Sequence, residues 1–78
     1  MITFYCNLET AIPVYSYHWL CQKMQNRERV CIRCMVGGNN IQLYGMINGM
    51  RPEDGSGRHW LVTIYDNGNS SEVYVRAE

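Results

Sequence analysis

Between Arg29 and Arg76 the chain alternates apolar and polar residues over four stretches, each bounded by turn-forming residues. Successive side chains of a β-strand point to opposite faces, so a period of two assigns every residue to one side. One parity collects Val30, Ile32, Cys34, Val36, Ile41, Leu43, Gly45, Ile47, Trp60, Val62, Ile64, Val73 and Val75. These are the expected core positions of strands over Arg29–Val36, Ile41–Met50, His59–Tyr65 and Glu72–Arg76. Gly37-Gly38-Asn39-Asn40 and Asp66-Asn67-Gly68-Asn69 tolerate positive φ and suit tight hairpins. Arg51-Pro52-Glu53-Asp54-Gly55-Ser56-Gly57 is a longer connection with the composition of a mobile tip. Short links make antiparallel neighbours, so the pattern predicts a four-stranded antiparallel meander.

Upstream, Ile2–Cys6 alternates and predicts a short strand. Pro13 suits the first turn of a helix, where its missing N–H costs nothing, with Thr10 or Ala11 as the cap. Val14, Tyr17, Leu20, Cys21 and Met24 then fall at helical spacing, with Ser16, Gln22, Lys23 and Gln25 opposite. Tyr15 and Trp19 widen the stripe, and the helix is expected to end near Gln25 or Asn26. A strand competes with this helix, because Val, Tyr and Trp favour sheets. One helix and one apolar sheet face bury each other, so the expected class is α+β in two layers, a single domain over residues 1–78. Gly45 and Gly49 inside the second meander strand mark a bulge or bend, which would curl the sheet into a partial, SH3-like barrel. Gly45 is where a register slip is expected, and a one-residue bulge there would exchange the two faces beyond it.

The opposite parity is not simply polar. It presents Arg29, Cys31, Arg33, Met35, Gln42, Tyr44, Met46, Leu61, Thr63, Tyr65, Tyr74 and Arg76. Tyr and Arg are the residues in which binding hot spots are enriched, with Met also favoured at interfaces. Tyr44, Tyr65 and Tyr74, with Met35, Met46 and Leu61 between them, would form an aromatic patch rimmed by Arg29, Arg33 and Arg76. Formal charge is zero and the isoelectric point about 6.7. A domain that binds nucleic acid through phosphates usually has a pI above about 9. Cations are six arginines and one lysine, and guanidinium suits specific interfaces better than general solvation.

Four cysteines invite a metal or disulfide reading, Cys31-Ile32-Arg33-Cys34 above all. On a strand, however, positions 31 and 34 have opposite parity, so neither a shared zinc nor a bridge fits without a turn. Cys34 and Cys21 are expected as small buried hydrophobes. His18 and His59 lack the orienting partners of a catalytic pair, and Gly55-Ser56-Gly57 lies between two strands rather than at a helix N-terminus. No enzyme activity, cofactor or metal is expected. Met1 to Cys6 lacks a basic start followed by a long apolar stretch, and no apolar run approaches a membrane span, so a reducing, cytoplasmic setting is expected.

The function expected from these residues is non-enzymatic binding to a protein partner, as an adaptor or a stoichiometric inhibitor. In size and style the chain is like small phage or mobile-element proteins that block a host machine by occlusion, anti-CRISPR proteins among them. The expected contacts are Arg33, Tyr44, Tyr65, Tyr74 and Arg76, with Arg51 and Arg58 on the long connection as a second site. The alternative is single-stranded nucleic acid, with bases stacked on the tyrosines and arginines on phosphates. A homodimer through Glu72–Arg76 as an exposed edge strand is a third outcome, and a merely solvated face of cross-strand ladders is the plainest.

Overall fold

The computed structural model describes residues 1–5 and 12–78. Its elements are β1 (Ile2–Phe4), β2 (Val14–Tyr15), α1 (Tyr17–Asn26), β3 (Arg29–Val36), β4 (Asn39–Pro52), β5 (His59–Asp66) and β6 (Asn69–Ala77). The expected caps Thr10 and Ala11, and Cys6 at the end of the expected first strand, lie outside the described residues.

The antiparallel run β3-β4-β5-β6 follows the expected meander. The sheet is larger and mixed, however. It has six strands, because β1 and β2 both pair in parallel with the far side of β6. Phe4 lies beside Val73 and Tyr15 beside Ala77. The arrangement closes with Arg76 N–H donating to the Pro13 carbonyl at 2.9 Å and Glu78 N–H to that of Tyr15 at 3.0 Å.

This pairing also corrects the start of the helix. Val14 and Tyr15 follow their sheet preference and add to β6, so α1 begins three residues later than the apolar spacing implied. Ser16 caps it, its hydroxyl accepting from Trp19 N–H at 3.2 Å. The far end stops at Arg27, which adopts the left-handed conformation while its N–H reaches back to the Lys23 and Met24 carbonyls.

All thirteen expected core positions fall on the inner face. Val30, Ile32, Cys34, Ile47, Val62, Ile64, Val73 and Val75 are buried there with Leu20 of α1, and Val36, Ile41, Leu43 and Trp60 pack around them. Gly45 is buried in the same layer. The bulge lies between Ile47 and Gly49 rather than at Gly45. Beyond it the parity of β4 reverses, turning Met50 inward and Arg51 outward, and β4 continues to Pro52. The sheet curls so far that β3 approaches β6 although two strands separate them in the ladder.

Gly45 serves close approach. Its φ is +154°, and a Cβ there would overlap the Tyr65 carbonyl oxygen and sit 2.9 Å from Ile64 Cγ2. Gly49 has open space at the same test and no such φ. Gly45→Ala should therefore destabilise the fold by about 2–3 kcal/mol in urea unfolding, while Gly49→Ala stays within about 0.5 kcal/mol. Equal effects of the two substitutions would show that Gly45 does not carry the bend.

Candidate functional site

The outer face is the side of the sheet away from α1, and the register divides it into two zones. On the half built from β1, β6, β5 and the end of β4, Leu61 stands between Arg51 and Tyr74, and Thr63 between Gly49 and Glu72. Arg51 Nε donates to Glu72 at 2.9 Å, so this ion pair crosses β5 diagonally between the Leu61 and Thr63 rows. Thr3, beside Glu72 on β1, donates its hydroxyl to the same carboxylate at 3.0 Å. Glu72 is only 5% exposed, and Leu61 is fully buried despite lying outside the main core. Tyr5 and His59 extend the zone, their rings 5.7 Å and 5.6 Å from that of Tyr74.

The Arg51 guanidinium, helped by the Thr3 hydroxyl, holds Glu72 below its ordinary value of 4.5 against the opposing effect of burial. Glu72 in turn raises Arg51. The pair thus ties β4 and β6 together over β5 and adds β1 to them. Arg51, expected as a contact residue, holds this ion pair while its side chain stays 60% exposed.

The other zone lies over β3, the first half of β4 and the end of β5. Tyr44 is 58% exposed, Tyr65 39% and Met35 37%. Tyr44 is opposite Cys31, and Met46 lies between Arg29 and Tyr65. Arg29 pairs with Asp66 at 2.9 Å, whereas Arg33 is exposed and has no ion pair among the described residues. The Tyr44 hydroxyl donates to Gln42 at 3.1 Å, and the neighbouring Cys31 thiol raises the phenol above its ordinary value of 10.0, so Tyr44 is neutral at physiological pH.

The register puts Tyr44 between the Arg33 and Tyr65 rows, two residues along β4 from each, and leaves Tyr74 beyond the Tyr65 row. Tyr65 is opposite Ser70, four residues from Tyr74, which puts about 13 Å between the two rows. Tyr74 is half-buried in the first zone, and Arg76 is half-buried with its guanidinium on Glu78 at 2.8 Å. Arg58 is exposed, but its backbone joins the end of β6, its carbonyl accepting from Ala77 N–H at 2.7 Å. The connection that carries it has internal order. Asp54 accepts from Ser56 N–H at 2.9 Å, Ser56 from Arg58 N–H at 3.1 Å, and Trp60 Nε1 donates to Gly57 at 3.3 Å. The hydroxyl and the backbone N–H of Ser56, with His59, lower the Asp54 carboxyl to about 2.

Cys34 faces the core and Cys31 the outer surface, as their parity requires, and no group of three potential metal ligands occurs among the described residues. No described helix is long and apolar enough to cross a membrane. Missed by the sequence reasoning was the cluster of Glu72, Thr3 and Arg51, because Thr3 joins it through a parallel pairing that no local pattern announces. No family model, curated protein or solved structure matches the chain.

Because the folded pKa of Glu72 is depressed, the ion pair stabilises fully above the unfolded value of 4.5 and is lost as pH falls through the lower folded value. Glu72→Gln should cost about 1–2 kcal/mol at neutral pH. That deficit should shrink as pH falls through the lowered folded value, where the wild-type carboxyl also takes up a proton. A deficit that does not change with pH in urea titrations would remove the charge from the explanation.

Proposed function

We propose that the protein is a non-enzymatic binding module that captures a protein partner through the outer surface of β3, β4 and the end of β5. The observation that carries this reading is the coincidence on one sheet face of exposed Tyr44, Tyr65 and Met35 with Arg33, which has no ion pair among the described residues. An aromatic with an apolar neighbour and a guanidinium supplies burial, shape and directional hydrogen bonding at once, which is how hot spots are built. The other half of the same face keeps its own charge and apolar surface occupied by Arg51, Glu72 and Leu61, so the open half stands out.

Capture of single strands of nucleic acid by the same surface has less support. Phosphate binding draws its affinity from releasing counterions with free cations. Of the seven cations, Lys23, Arg29, Arg51 and Arg76 are in ion pairs, and formal charge is zero. A stoichiometric adaptor or inhibitor, of the kind small phage proteins provide, fits a surface without catalytic groups.

The test is affinity capture from a host lysate with and without nuclease, comparing the wild type with Tyr44→Ala/Arg33→Ala. Both side chains are exposed, so unfolding should move by less than about 0.5 kcal/mol. The captured protein should survive nuclease and fall at least about tenfold with the double variant. Undiminished capture by the variant puts the surface elsewhere, and capture that vanishes with nuclease replaces the protein partner with a nucleic acid.

A further inference from the structure

Among the described residues the sheet has one long unpaired edge, and it is not the expected one. Glu72–Arg76 is interior, since β6 pairs with β5 on one side and with β1 and β2 on the other. The edge is β3, eight residues whose ladder with β4 runs without interruption from Arg29↔Met46 to Val36↔Asn39. Natural edges are blunted by short length, proline, bulges, lysine or a covering element. Over β3 there is no proline, glycine, lysine or bulge.

Backbone direction along β3 follows from one contact. Arg33 N–H donates to the Tyr15 hydroxyl at 3.0 Å, so it points away from β4. In an antiparallel strand both polar groups of a residue point the same way and alternate along the chain. Arg29, Cys31, Arg33 and Met35 thus present N–H and C=O to the open side, while Val30, Ile32, Cys34 and Val36 bond to β4. Among the described residues, Arg33 N–H alone of these outward groups is engaged, by the Tyr15 ring that spans the seam from β2 and stacks on Trp19 with centroids 5.8 Å apart.

We propose that β3 accepts an extended, acidic segment of the partner as an added antiparallel strand, with Tyr15 holding the Arg33 position until that strand arrives. This rests on the binding-module reading and adds to it the chemistry of the partner. Charge chooses the occupant. Outer-face side chains of β3 include Arg29 and Arg33, and the strand has no acid. A second copy docking β3 on β3 would bring four guanidiniums together, whereas alternating carboxylates on an incoming strand lie opposite them. The strand's other face would continue the apolar layer next to Val30 and Ile32, and its outer face would adjoin Met35 and Tyr44.

The probes are two labelled, end-capped octapeptides, alternating Glu-Val and alternating Lys-Val, followed by anisotropy and by amide exchange in NMR spectra. The Glu-Val peptide should bind in a salt-sensitive manner and slow exchange of the Cys31 and Met35 amides by about tenfold or more, with Ile32 and Cys34 already slow without it. Cys31→Pro removes one outward N–H and leaves the β4 ladder intact, a position where an edge strand tolerates proline. It should abolish binding while the unfolding midpoint is retained, and Met35→Pro provides the same test at a second site. Tyr15→Phe frees Arg33 N–H and should tighten binding about three- to tenfold. Absence of Glu-Val binding, equal binding of Lys-Val, unchanged exchange at Cys31 and Met35, or dimerisation of the protein alone would each overturn the inference. Lysate capture that is lost with Tyr44→Ala/Arg33→Ala but unaffected by Cys31→Pro and Met35→Pro would sink the added strand and leave the binding module standing.

Discussion

One helix must cover the apolar side of the whole sheet. At ten residues α1 is about 15 Å long, whereas the fourteen residues of β4 would extend about 46 Å if straight. A flat sheet would leave much of its inner face in water, so the sheet has to enclose its own core. Curvature is concentrated in β4, where the backbone of Gly45 passes against the Tyr65 carbonyl and an extra residue enters between Ile47 and Gly49. That bulge adds twist and reverses the facing of every later residue in the strand. Without the reversal Arg51 would enter the core and Met50 would face solvent. The inner layer and the ion pair on the outer face therefore depend on the same irregularity.

On the outer face the consequence is a division of labour. Glu72 and Leu61 are buried on a side of the sheet that no described helix covers, and their neighbours are strands and side chains of the same face. A buried carboxylate is tolerable only with its charge and lone pairs answered, and Arg51 and Thr3 answer them from β4 and β1. Half of the face is thereby committed to joining three strands. The exposed tyrosines lie in the other half, where Arg29 and Asp66 join β3 to β5 and the side chains of Tyr44 and Tyr65 stay exposed.

Much of the meander was legible because burial imposes a period of two and a slip of one residue would expose an entire strand. Val30 through Val75 could be assigned to the core without knowing which strands were neighbours. The pairing of β1 and β2 with β6 was not legible in this way. Two- and three-residue strands carry little periodicity, and parallel pairing across some sixty residues leaves no turn signal. From that omission followed the reading of Glu72–Arg76 as an exposed edge, whereas β6 is paired on both sides. The spacing of the three tyrosines was hidden for a different reason: parity fixes the face but not the distance along the strand, and Tyr74 is four residues from the Tyr65 row.

The open edge follows from how the chain uses its N-terminal strands. Closing a barrel requires every strand to find a partner on both sides, and β3 could be closed only by a strand at the far end of the curl. β2 occupies that place with two residues, and its backbone bonds go to β6 and Glu78. Pro13, immediately before it, has no N–H to offer a second neighbour. What crosses the gap instead is a side chain, Tyr15, tied to the core by its stacking on Trp19. A single hydroxyl satisfies one of the outward amides of β3, and no other is bonded among the described residues. The half-barrel is thus incomplete among the described residues, and the place where it is incomplete adjoins Arg33, Met35 and Tyr44, residues of the surface proposed for partner capture.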